Sequence, residues 1–89
     1  MAKKRRKLNK DFEQKIYSSK KDVELILAKI YDIDDEDIQK EYISAFNSVV
    51  NLYDELKEDY ELQGFTDNSE ELLTNYKNAF NLFESEFEI

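Results

Sequence analysis

The sequence predicts an all-α protein, two short N-terminal helices plus a long antiparallel helical hairpin, and three observations predict it. Its 89 residues contain no Pro and a single Gly, Gly64, so the usual breakers are nearly absent. Apolar residues recur three and four positions apart along most of the chain, the period of one helix face. Each periodic segment is preceded by Ser, Asp or Asn, whose side chains accept the first free amide hydrogens of a helix.

Residues 1–10 read as a flexible basic arm, with little apolar content beyond Leu8, and residues 11–89 as a single helical domain. Phe12 and Ile16 begin an apolar stripe that continues at Val23, Ile26, Leu27, Ile30 and Tyr31, with an interruption at Ser18 and Ser19. Ser19 and Asp22 have the spacing of a capping box, so a first short helix should end there and a second should run from Lys20 to about Tyr31. Asp34 or Asp35 then suits the N-cap of the first hairpin helix, with Glu36 and Asp37 in its favourable first turn. Its stripe of Ile38, Tyr42, Ala45, Phe46, Val49, Leu52, Tyr53, Leu56 and Tyr60 predicts a helix over 35–63. At 1.5 Å per residue that helix is about 43 Å long.

Gly64 should stop this helix in the left-handed αL conformation, with Phe65 folding back on Tyr60. Asp67 and Glu70 have capping-box spacing, and Leu72, Leu73, Tyr76, Ala79, Phe80, Phe83 and Phe87 share one face, which predicts the last helix over 68–87. A connection this short turns it back antiparallel.

Charge is divided sharply along the chain. Residues 1–21 hold nine basic against two acidic side chains, and residues 22–89 hold four against nineteen, for a net charge of −8. The first segment, Lys3, Lys4, Arg5, Arg6, Lys7 and Lys10, extended by Lys15, Lys20 and Lys21, is suited to DNA phosphates, and six such contacts give a salt slope of log K near −5. The Lys-Lys-Arg-Arg-Lys string also fits a nuclear localisation signal, a solubilising tail or a tether to the acidic body.

The acidic remainder suggests a protein partner. Asp34, Asp35, Glu36 and Asp37, with Asp54, Glu55, Glu58 and Asp59, could imitate the phosphate track of a nucleic acid and occupy a basic site. The alternating Asp residues from Asp32 to Asp37 also invite a calcium reading, but the central Gly and the twelfth-position Glu of an EF-hand loop are missing. With no His and no Cys, the commonest general base, thiolate nucleophile and transition-metal ligands are absent. We therefore expect no catalytic residues, no metal site and no cofactor.

The longest uninterrupted apolar run, Leu25 to Ala28, is far short of the roughly 20 residues needed to cross a bilayer, so no membrane role and a cytoplasmic location are expected. The aromatic residues are most simply core. A small hairpin has little with which to cover twelve of them, so Tyr53, Tyr60, Phe80, Phe83 and Phe87 are candidates for self-association in a homo-oligomer.

From Asp37-Ile38-Gln39-Lys40-Glu41-Tyr42 onward, through the stripe to Leu56, the Leu62-Gln63-Gly64-Phe65 stop, Asn68-Ser69, and Leu72 to the closing Glu86-Phe87-Glu88-Ile89, the chain resembles the C-terminal hairpin of short small-terminase subunits from tailed phages of Gram-positive bacteria. The resemblance implies a non-catalytic DNA-packaging protein that oligomerises through its helices, contacts DNA through Lys3 to Lys7, Lys10, Lys15, Lys20 and Lys21, and passes it to a large packaging subunit. The rival expectation is an inhibitor of the anti-restriction, anti-CRISPR or antitoxin type, whose acidic helices block a basic site on a host protein.

Overall fold

Asn9 starts the first helix: its backbone is extended and its side-chain oxygen accepts the Phe12 N–H at 3.0 Å. The computed structural model of the protein describes residues 7–87, which form three helices: α1 (Lys10–Tyr31), α2 (Glu36–Gln63) and α3 (Ser69–Phe87). Lys3, Lys4, Arg5 and Arg6 of the expected arm lie outside the described residues, as do Glu88 and Ile89.

The two short N-terminal helices expected from the sequence are one continuous helix of 22 residues. Ser19 does not cap a second helix. It occupies a core-facing position in the stripe Phe12, Ile16, Ser19, Val23, Ile26, Ile30, whose spacings of four and three run through it without a phase change. Its hydroxyl donates to the Lys15 carbonyl one turn back at 2.8 Å, which satisfies the group inside the helix and lets it be only 3% exposed.

The turn from α1 to α2 is closed by side chains from both ends. Gln39 reaches back from α2 to the carbonyls of Ile30, Tyr31 and Ile33 at 3.2, 3.1 and 3.4 Å, which ties the start of α2 to the end of α1 and the turn after it. Asp35 is the N-cap of α2 and accepts the Asp37 and Ile38 amide hydrogens at 2.9 and 3.1 Å.

At the other end of α2 the Gly64 N–H closes a last helical bond to Tyr60 at 2.8 Å, and φ turns positive, to 75°. The expected Schellman stop does not form. With ψ at −158° Gly64 is extended rather than αL, in a region that any Cβ would obstruct. The chain therefore leaves sideways: the Phe65 N–H donates to the Lys7 carbonyl at 2.6 Å, and the Phe65 ring meets Phe12 edge-on at 5.1 Å. The cap before α3 also differs from the expected Asp67–Glu70 box. Thr66 and Ser69 make it, with the Thr66 N–H donating to Ser69 Oγ at 2.9 Å and the Asn68 N–H to Thr66 Oγ1 at 3.2 Å.

The stripes determine the packing. Tyr42 near the start of α2 meets Phe87 at the end of α3, ring centroids 4.9 Å apart, so these two helices are antiparallel; Phe12 against Tyr60 at 5.7 Å shows the same for α1 and α2. The central helix thus carries α1 and α3, which run parallel to each other and pack on α2 far more than on one another. Phe46, Ile30, Leu56 and Val49 fill the interior, with Phe46 between Phe83 at 4.8 Å and Phe80 at 6.2 Å. The bundle is long and narrow, 57 × 21 × 18 Å.

Candidate functional site

The root of the basic segment is held against the far end of α2. Beside the Lys7–Phe65 hydrogen bond, the Asn9 N–H donates to the Tyr60 hydroxyl at 3.0 Å, and that hydroxyl donates to the Glu13 carboxylate at 2.5 Å. Phe12 packs beside both Tyr60 and Phe65, and the Lys7 ammonium stands 6.0 Å from the centre of the Phe65 ring. Lys7 is thereby placed at the α2–α3 turn.

The lysines of α1 do not form one patch. At 100° per residue, Lys10 and Lys21 share the solvent stripe, Lys15 lies on the flank facing α3, and Lys20 lies on the opposite flank. Lys15 accordingly lines a cleft with Asp22 and Lys77. The solvent stripe also holds Tyr17, over whose ring the Lys21 ammonium sits at 4.8 Å. Tyr17 is not among the residues singled out from the sequence, although its spacing of four from Lys21 is the signal that could have found it.

The acidic residues fall into two groups rather than a track. Asp34, Asp35, Glu36 and Asp37 surround the α1–α2 turn, where the Asp35 carboxylate is engaged as a cap. Asp54, Glu55 and Glu58 are exposed on the outer face of α2 toward its other end. Lys40 and Glu41 are exposed beside the first group; from Glu41 to Asp54 run about 20 Å of helix whose exposed residues are Ser44, Asn47, Ser48 and Asn51, all uncharged. Asp59 is set apart on a half-buried flank, with Oδ1 accepting from Gln63 at 3.3 Å and Oδ2 buried without a hydrogen-bond partner among the described residues.

Of the five aromatics expected at a subunit interface, Tyr53 and Phe83 are instead inside this monomer, 6% and 4% exposed. The hairpin itself covers them: Tyr53 meets Tyr76 of α3 at 5.9 Å, and Phe83 meets Phe46 and Tyr42 of α2 at 4.8 and 6.4 Å. Tyr60 is the hydroxyl that anchors Asn9, and Phe80 and Phe87 are half-buried beside the core.

An open groove of about 450 Å³ runs between α1 and α3. Ile26, Tyr76 and Phe80 form its apolar base, and four charges line it, Asp22 and Lys29 from α1, Lys77 and Glu84 from α3. The Tyr76 hydroxyl donates to the Ser19 carbonyl at 3.3 Å. Burial first, then the charge of Asp22, pushes the Tyr76 phenol up to about 12, and burial followed by Asp54 raises Tyr53 as well. A phenol whose folded value is raised contributes stability that is complete below its unfolded value and lost as pH rises through the folded one. Denaturant unfolding should therefore show stability level up to about pH 10 and falling from there to about pH 12, with the fall reduced in Tyr76→Phe. An alkaline limb equally steep in the variant would remove Tyr76 as its source.

Among the described residues no cluster of three or more His, Cys, Asp or Glu side chains comes together to hold a metal ion, and no helix is long and apolar enough to cross a membrane. No protein-family model matches the sequence, and neither a curated protein nor a solved structure matches the chain.

Proposed function

We propose that this chain is a non-catalytic accessory protein that contacts DNA phosphates through its basic N-terminal segment and acts with a protein partner in genome packaging, in the manner of a small terminase subunit. The observation that carries the reading is the anchoring of Lys7 to Asn9 on Tyr60 and Phe65. It gives the basic segment a rooted origin, continuous with Lys10 and Lys21 along about 16 Å of one helix face, the rise of about five base pairs. Tyr17 adds an aromatic surface to that stripe. Binding of this kind reads the backbone and not the bases, so it is non-specific and strongly salt-dependent. The spacing of the hairpin residues from Asp37 to Phe87 supports the packaging role, and the lack of His and Cys supports a non-catalytic one.

Fluorescence-anisotropy titration of a short labelled duplex tests the reading. We expect log K to fall with log salt at a slope near −5. A flat salt dependence, or no binding at low salt, would count against it.

The exposed face of Asp54, Glu55 and Glu58 favours a second reading, an acidic inhibitor that occupies a basic site on another protein. The uncharged middle of α2 confines such a partner to one end of the bundle. Asp54→Lys with Glu58→Lys should abolish activity in this reading and spare it in the first.

A further inference from the structure

The groove between α1 and α3 exists because both helices pack on α2 and leave the space between them open. Leu25 at its edge is 56% exposed, and Phe80 at its base is only half-buried, so apolar surface remains uncovered where the two walls diverge. The charges around that surface form a pattern. Asp22 and Lys29 stand seven residues apart on α1, Lys77 and Glu84 stand seven apart on α3, and the signs are opposite along each wall. Asp22 and Lys77 share one end of the groove, since both also line the adjoining cleft with Lys15. The rim is therefore a checkerboard, negative and positive at one end, positive and negative at the other.

Such a pattern is its own complement. Turned over by a two-fold axis across the groove, a second copy places its Lys29 opposite Asp22 and its Glu84 opposite Lys77, with Leu25 and Phe80 near the axis. A two-fold axis along the helices would match charges too, setting Asp22 against the other copy's Lys77, but it would lay α1 and α3 of both copies parallel, with like helix ends together. The first arrangement sets them antiparallel.

We infer that the α1–α3 groove is a self-association surface, closed in solution by a second, antiparallel copy of this chain. The inference is independent of the reading of the basic segment, and it replaces Tyr53 and Phe83 with a surface that the monomer leaves open.

Sedimentation equilibrium on the full chain tests it. The wild type should show a monomer–dimer equilibrium, and Leu25→Lys, at an exposed position, should weaken the dimer about tenfold or more while helicity by circular dichroism is unchanged. Asp22→Lys should also weaken it about tenfold, by opposing two lysines twice across the axis. The double variant Asp22→Lys, Lys29→Asp should restore the dimer, since the antiparallel pairing is re-formed with signs exchanged, whereas within one monomer the same change opposes like charges across the groove. A wild type that is monomeric at its highest soluble concentration, a Leu25→Lys dimer as tight as the wild type, or a double variant that stays dissociated would each overturn the inference.

Discussion

Phe46→Ala is expected to cost about 3 to 5 kcal/mol, through removal of a large buried ring together with the cavity it leaves. Phe46 is 0% exposed and is the ring against which Phe80 and Phe83 of α3 pack, at 6.2 and 4.8 Å. Removing it loosens α3 from α2 at mid-length, where no loop or cap can take over the packing. An 89-residue domain has a total stability of about 4 to 13 kcal/mol, so the variant should lose from about a quarter of it to all of it. Urea unfolding followed by circular dichroism reads the effect as a lower midpoint at unchanged slope. Leu62→Ala is the control, because Leu62 is exposed and its truncation should move stability by less than about 0.5 kcal/mol. A Phe46→Ala loss below about 1 kcal/mol would mean that the packing of α3 on α2 differs from the one described.

The second large effect is on binding. Replacing Lys3, Lys4, Arg5, Arg6, Lys7 and Lys10 with Ala removes six cations, and every cation taken off a phosphate makes the salt slope shallower by about 0.9. The slope should become shallower by about 5, leaving at most the contribution of Lys21, and affinity for a short duplex at low salt should drop by at least about a hundredfold. The drop should be the same for unrelated duplex sequences, since phosphate contacts position a protein without reading bases. Stability should change little, because the Lys7–Phe65 and Asn9–Tyr60 hydrogen bonds use the main chain of residues 7 and 9. Duplex affinity that survives the substitutions undiminished would end the reading of the basic segment as the DNA interface.

Much of the fold was legible in the chain because its signals are local. Asp35 as a cap, Gly64 as a stop and the aliphatic and aromatic stripe between them located α2 to within one residue, and the face from Leu72 to Phe87 located α3 equally well. The candidate site was less legible. Nothing local distinguishes the lysines that share a face, Lys10 and Lys21, from Lys15 and Lys20 on the two flanks, until the direction of the core is known. The uncharged outer residues Ser44, Asn47, Ser48 and Asn51, which separate the acids of the α1–α2 turn from Asp54, Glu55 and Glu58, could have been read once α2 was set as one helix.

Where expectation and structure parted, a distant contact outweighed a local preference. Ser19 reads as a helix start, because a serine can cap. It is a core residue because its hydroxyl is satisfied by the Lys15 carbonyl within α1 and its buried position lies against α3, where the Tyr76 hydroxyl, 57 positions away, donates to its carbonyl. Gly64 reads as an αL cap and is extended because the main chain of Lys7 lies beside it and takes the Phe65 N–H. Tyr53 and Phe83 read as surplus apolar area and are core because each packs on rings of the facing hairpin helix, Tyr76 for Tyr53 and Phe46 and Tyr42 for Phe83. Helical character, helix ends and charge segregation depend on neighbours within a few residues, so the chain alone carries them. The continuity of α1, the route of the basic segment past Tyr60, and the groove that α1 and α3 leave open depend on which helices meet, and that is decided only when apolar faces far apart in the chain compete for the same buried surface.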